Sequence, residues 1–196
     1  MGEYDKWVET YKAGSCGDYP WDVGHAREVL VALVESGRVS GPVLDLCSGA
    51  GTNTIYLAKE GFDLTAMDIA PGAIELLTDR AAAEGCVIKT VRGSIVELPF
   101  EDGAFNFVHD FGCFHHVIDE DRDRFLIGLK RVLKSGGLYQ LTCFSRKNGP
   151  DWNHFTEADI RGRFEDGFKV LEHRHYGCEE GDRKERFFHT FLMERK

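Results

Sequence analysis

The sequence predicts an α/β fold: a doubly wound, mostly parallel seven-stranded sheet with an antiparallel C-terminal hairpin. Three observations carry this expectation. From Pro42 onward, short apolar runs alternate with helical patterns, and that alternation implies right-handed crossovers and a parallel sheet with helices on both faces. The stretch "VLDLCSGAGTNTIYLA", residues 43–58, reads as a strand that breaks at a glycine turn straight into a helix, so a ligand crevice is expected at the carboxyl ends of the strands. In the tail, two strand candidates are joined by a loop alone, which makes them a hairpin at one sheet edge.

The elements follow in order. "PVLDLC", "FDLTAM", "CVIKTV", "AFNFVHD" and "GLYQLTCF" read as the five core strands, several apolar enough to be covered on both faces. One helix follows the opening turn and stops at Gly61. A second starts at Pro71, carries Ile74, Leu77 and Ala81 at helical spacing, and stops at Gly85. A third runs from about Asp119 to Lys134, with Phe125, Leu129, Val132 and Leu133 on one face. Its acidic start and basic end complement the helix dipole. "FKVLEHRHY" and "RFFHTFLMERK" form the hairpin around "GCEEGDRK". The whole reads as one domain over 1–196: an N-terminal helical lid segment (1–40), a ligand-binding core (41–146), and a C-terminal helix with the edge hairpin (147–196).

Composition narrows the function. The chain has 196 residues and a net charge of −9 with no Lys/Arg block, so nucleic acid is not an expected partner. No run approaches the ~18 apolar residues of a membrane span, and the start lacks a secretory apolar region. The expectation is a soluble, cytoplasmic protein. Six scattered cysteines with no C-x-x-C pair are expected to be reduced thiols. Cys113, His115 and His116 lie close together, and His173 and His175 share a strand face, but the spacing of a zinc site is absent, so no metal is expected.

A dinucleotide fingerprint needs G-x-G-x-x-G. Here Gly49 and Gly51 are present, the third position is Thr54, and an acid stands at the strand end, Asp45. This spacing resembles motif I of the class I S-adenosylmethionine-dependent methyltransferases, and further motifs follow in the family's order. Asp68 ends the second strand seventeen residues after Gly51, "GSIVELPF" follows the third, "FNFVHDFGCFHHVIDED" resembles the fourth strand and its exit, and "LKRVLKSGGLYQLTCF" the closing helix and strand. The resemblance covers about Val43 to Phe144 and implies the Rossmann-like methyltransferase fold.

The resemblance further implies S-adenosyl-L-methionine as the cofactor. Its contacts are expected from Asp45, Cys47, Gly49, Gly51, Asn53, Asp68, Ile69, Ser94, Ile95, Asp110 and Phe111. Asp45 would help hold the ammonium, directly or through water. Asp68 would accept from the ribose hydroxyls, with Ile69 against the adenine. Ser94-Ile95 stands where the family often has Asp-Ala, so the acidic partner of the adenine amino group is missing. His115 or His116 is the candidate base or acceptor contact, although the family often has a His-His pair here in members with unlike substrates.

Upstream, Tyr4, Trp7, Tyr11, Tyr19 and Trp21 crowd one segment. Trp7 and Tyr11 stand at i, i+4 and suit a pinned helix, and Gly14 and Gly17 suit a hinge. Tyr11 and Trp21 are expected to close over the sulfonium, where aromatic faces favour a cation. This N-terminus is similar to that of the thiopurine and tellurite-resistance-like methyltransferases, which implies a small-molecule acceptor with a thiol or other soft nucleophile. Two rival readings stand beside it: a non-catalytic S-adenosylmethionine-binding sensor or accessory subunit, and a nucleotide-dependent oxidoreductase. Oligomeric state is open.

Overall fold

The computed structural model describes residues 3–12 and 19–196. The order is α1 (Glu3–Thr10), α2 (Glu28–Glu35), β1 (Val43–Leu46), α3 (Thr52–Lys59), β2 (Leu64–Asp68), α4 (Pro71–Ala83), β3 (Lys89–Arg92), β4 (Phe105–Phe111), α5 (Asp119–Val132), β5 (Leu133–Phe144), α6 (Glu157–Phe164), β6 (Phe168–Glu179) and β7 (Glu185–Arg195). The seven strands form one sheet in the order β3-β2-β1-β4-β5-β7-β6. The pairs among β1 to β5 are parallel, and β7 lies antiparallel between β5 and β6.

Strand alternation decides what each face buries. Val43 of the fully buried β1 joins Leu30, Leu33 and Leu57 from α2 and α3. Its neighbours Leu44 and Leu46 join the cluster that holds Phe125 and Leu129 of α5 and Ile160 and Phe164 of α6. Asp45 falls in register with Ala66 of β2 and His109 of β4, at the carboxyl end where the crevice opens. The reversal of strand order flanks this point, as in open α/β sheets generally.

Local chemistry starts and stops the helices. Pro71 opens α4, where its missing N–H costs nothing. Thr156 and Asp159 cap α6 reciprocally. At three places the structure departs from the expected boundaries. The third strand begins at Lys89 rather than Cys86, because Val87 is 97% exposed on the edge of the sheet. Helix α5 ends at Val132, and the chain passes directly into β5, whose register slips between Leu133 and Leu138. The hairpin strands extend over Gly177 to Glu179 and Glu185, which shortens the connecting loop to 180–184. The expected hinge glycines Gly14 and Gly17 lie outside the described residues. No helix of the described residues is long and apolar enough to cross a membrane.

Candidate functional site

The turn after β1 is built by two glycines in left-handed conformations. Gly51 (φ 83°) caps α3, and a Cβ there would stand 2.6 Å from Leu77 of α4; Gly49 (φ 53°) would bring one 2.6 Å from the Tyr11 hydroxyl. Only glycine fits such close backbone approaches. The turn is tied to the next strand by Asp68, whose Oδ2 accepts from the Gly49 N–H and whose Oδ1 accepts from the Ala70 N–H, both at 2.9 Å. Burial raises the Asp68 carboxyl above its ordinary value. A carboxylate has more acceptor sites than these two donors fill. Ile69 beside it is half-buried.

Asp45 lies beneath the turn, 3% exposed. Thr54, standing where a dinucleotide fingerprint has its third glycine, donates its hydroxyl to Asp45 Oδ2 at 2.5 Å. Burial pushes the Asp45 carboxyl up to about 7. Asn53 accepts from the Arg27 N–H through Oδ1 and contacts His109 Nε2 through its amide nitrogen at 3.1 Å. Asp45, Cys47, Gly49, Gly51, Asn53, Phe111 and Trp21 all line one cleft.

The cleft measures about 60 Å³, far below the ~300–1,000 Å³ of a ligand pocket, because the N-terminal aromatics lie closed on it. Trp21 Nε1 donates to the Tyr11 hydroxyl at 2.9 Å. Tyr19 stacks on Trp21 at 5.4 Å, and Trp7 packs edge-on against both Trp21 and His116. Tyr11 and Tyr19 also bury themselves on Ala70 and Ala73 at the start of α4. Trp7 and Tyr11 therefore pin α1 to the domain, as their spacing implies.

Residues without a role in the sequence reading hold this lid. Asp22, 8% exposed, accepts from the Thr52 hydroxyl at 2.7 Å and from Arg80 at 3.3 Å. Arg27 lies over the Phe111 ring, donates to the Trp21 carbonyl at 2.6 Å, and forms a two-pronged pair with Glu180. Glu180 sits in the β6–β7 loop, and the next residue, Gly181, donates its N–H to the Pro20 carbonyl at 2.7 Å. The C-terminal hairpin thus latches the N-terminal segment. Partners this distant leave no local spacing signal.

At the exit of β4 several expectations are corrected. Asp110 is fully buried and accepts from the Cys113 and Phe114 N–H groups and the Tyr139 hydroxyl, so its side chain builds the turn and does not line the cleft. His115 is 2% exposed, stacked on Phe144, and accepts from the Phe144 N–H at 3.2 Å; it supports the wall and is not open to an acceptor. His116 faces Trp7 instead, and burial lowers its pKa to about 4. Ile95 packs in the core, and the Ser94 hydroxyl accepts from the Val96 N–H at 3.4 Å. Against the expected reduced thiols, Cys47 and Cys113 are joined as a disulfide with Cα atoms 5.8 Å apart, while Cys86, Cys143 and Cys178 are free. Cys16 lies outside the described residues.

With this geometry in place, the matches to known proteins are informative. Residues 43–137 match the model of a methyltransferase domain. With the relatives below, this match supports placing the chain in the class I S-adenosylmethionine-dependent methyltransferase superfamily. It is 30% identical over 132 residues to a 2-heptyl-1-hydroxyquinolin-4(1H)-one methyltransferase of Mycobacteroides abscessus, covering 67% of this chain and 58% of that one. It is 35% identical over 104 residues to an uncharacterized methyltransferase of Synechocystis, covering 53% and 47%. The matched region thus spans about half the length of these two relatives. A solved structure from work on the conversion of a disulfide bond into a thioacetal group during echinomycin biosynthesis superposes with a TM-score of 0.88 at 19% identity, over 100% of this chain and 93% of that one. At that identity it establishes the fold.

Proposed function

We propose that this protein is an S-adenosylmethionine-dependent methyltransferase whose acceptor is a small molecule with a thiol or another nucleophile acidic enough to need little help from a base. The observation that carries the reading is the Asp68 carboxyl, which bridges the Gly49 and Ala70 amides above a buried Asp45. That is an acid-lined cradle suited to a cationic nucleoside and unsuited to a diphosphate.

When bound, the cofactor supplies an electrophilic methyl group on a sulfonium. Asp45 lies where a cation would pull its raised carboxyl back to the ionised form. We assign Cys47, Gly49, Gly51 and Asn53 to the amino-acid end, and Asp68, Ile69 and Ser94 to the nucleoside. Tyr11 and Trp21 offer ring faces to the positive charge and keep water out. The lid has to open for entry, since the closed cleft is too small.

His116, with its pKa near 4, stays neutral at physiological pH and is a weak base. An acceptor that needs strong deprotonation is therefore a poor fit, whereas a thiolate or acidic hydroxyl is a good one. The name of the Mycobacteroides relative gives a small hydroxyquinolone as its acceptor, in keeping with a small substrate.

The reading is tested by calorimetry with S-adenosylhomocysteine and NAD, followed by an acceptor screen of thiols, acidic hydroxyls and amines. Heat for the first ligand alone, its loss in Asp68→Ala, and methylation of thiols ahead of amines are expected. Saturation by NAD would overturn the cofactor assignment. Cofactor binding without transfer to any acceptor class would leave a sensor.

A further inference from the structure

A second cavity, about 430 Å³, lies away from the glycine turn, between α6 and the segment that leaves β5. It falls within the size range of small-molecule pockets. Arg122, Arg146, Arg163, His154, Trp152 and Phe155 line it. In a chain of net charge −9, three guanidinium groups around one cavity are a local reversal of sign that draws anions.

The charges in this cavity are poorly balanced from within. Asp159 is the carboxylate in the lining, and its Oδ2 is held by the Thr156 N–H at 2.7 Å in the α6 cap. Arg122 and Arg163 share Asp119, each at 2.9 Å, and Arg163 also reaches Asp123 at 3.7 Å, but these carboxylates are 72% and 86% exposed and screened by solvent; Asp159 feels the charges of Arg146 and Arg163. Among the described residues no carboxylate pairs with Arg146, whose Nη2 donates to the His154 carbonyl at 3.2 Å. Arg122 is 5% exposed, lies over the Phe155 ring at 4.8 Å, and its Nη2 is buried without a hydrogen-bond partner. A buried guanidinium nitrogen left unpaired is costly, and an oxyanion would satisfy it.

The cavity adjoins the exit of β4. The His154 ring is 5.4 Å from Phe144, Phe144 stacks on His115 at 4.0 Å, and His115 lies 4.4 Å from His116. Two rings thus separate its wall from the histidine that faces the lid. Trp152, 52% exposed, offers a flat apolar face at the rim.

We propose that this cavity holds the terminal oxyanion, carboxylate or phosphate monoester, of a flat aromatic acceptor whose body lies on Trp152. The role as acceptor subsite rests on the function proposed above; anion binding does not. Arg146 supplies a guanidinium with no carboxylate pair among the described residues, Arg163 the second charge, and Arg122 the buried base of the site. Bidentate guanidinium contacts suit either oxyanion.

The test uses the full chain saturated with S-adenosylhomocysteine and titrated with benzoate, phenyl phosphate and benzyl alcohol, read by calorimetry and tryptophan fluorescence. One or both anions should bind at one site per chain, and benzyl alcohol should not. The stronger anion identifies the handle. Arg146→Ala, an exposed position that folding does not need, should weaken that anion roughly tenfold, the loss of one charge-assisted hydrogen bond, and Arg146→Lys should restore only part. Trp152→Phe should abolish the quenching. Homocysteine-nucleoside affinity should be unchanged in all three variants. Anions that bind no better than benzyl alcohol, or bind equally well to Arg146→Ala, would overturn the proposal. Were the nucleoside not to bind while the anions still depended on Arg146, the cofactor reading would fail and the anion site would stand.

Discussion

Arg27 and Glu180, 153 residues apart, form a two-pronged ion pair at 2.8 and 3.1 Å with side chains only 10% and 4% exposed. The same Arg27 Nη2 donates to the Trp21 carbonyl, so the pair couples the C-terminal hairpin to the lid. Removing one member strands a buried charge, which costs about 3–5 kcal/mol. Glu180→Ala should therefore lower unfolding stability by that order in denaturant titration, and Arg27→Met/Glu180→Leu should recover much of it. Equal losses in the single and double variants would show that the pair itself matters little.

The buried acid beneath the turn sets a pH dependence. Asp45 is raised from 3.8 to about 7, so its proton stays on in the folded state. It leaves full stability below about pH 4 and lowers it progressively as pH rises to 7. His109, His116 and His189, each lowered to about 4, and His115, lowered as well, act in the opposite direction up to just above pH 6.5, while Asp110, raised to about 6, acts with Asp45, so the useful comparison is wild type against Asp45→Asn. Between pH 6.5 and 7.5 the melting temperature of wild type should fall relative to that of Asp45→Asn, because the histidine contributions are common to both. At pH 6.5, S-adenosylhomocysteine binding should release up to about one proton in wild type, measured as buffer-dependent heat, and none in Asp45→Asn.

The Cys47–Cys113 link joins the glycine turn to the exit of β4. Without reductant, peptide mapping after iodoacetamide treatment should recover these two cysteines as a cross-linked pair. After reduction Cys47 should alkylate in the folded protein and the homocysteine nucleoside should protect it, since it lines the cleft, whereas the buried Cys113 should alkylate only on unfolding. Ready alkylation of Cys47 without reductant would contradict the link.

The lid is held by aromatic contacts. Trp21→Ala removes the stack on Tyr19, the edge contact with Trp7 and the hydrogen bond to Tyr11. An aromatic pair is worth about 0.5–1.5 kcal/mol, so nucleoside dissociation should accelerate about 3- to 10-fold in stopped flow. An unchanged rate would mean that the closed lid does not retain the ligand.

Much of the fold was legible because it repeats a local rule. The apolar runs around Leu44, Met67 and Val108 marked strands, Pro71 marked a helix start, and Gly49 and Gly51 marked the turn. Boundaries failed where neighbours decide: Val87 is apolar yet exposed on an edge, and Leu133 left its helix for the sheet. Within the site, the turn, Asp45, Asn53, Trp21 and Phe111 come together at one cleft. Asp110 and His115 differ because a titratable side chain announces chemistry in sequence, while the donors that bind it internally do not.

The sequence by itself determined the order of strands and helices, the glycine turn and the acids at the ends of β1 and β2. Those features depend on residues near one another along the chain, through backbone freedom at glycine and the period of apolar positions. The tertiary structure alone decided that Glu180 reaches Arg27, that Thr54 holds Asp45, that Cys47 meets Cys113, and that three arginines from separate elements surround one cavity. Each joins groups brought together only when the sheet and its helices pack, and burial, which sets their charge and strength, exists only in the folded state.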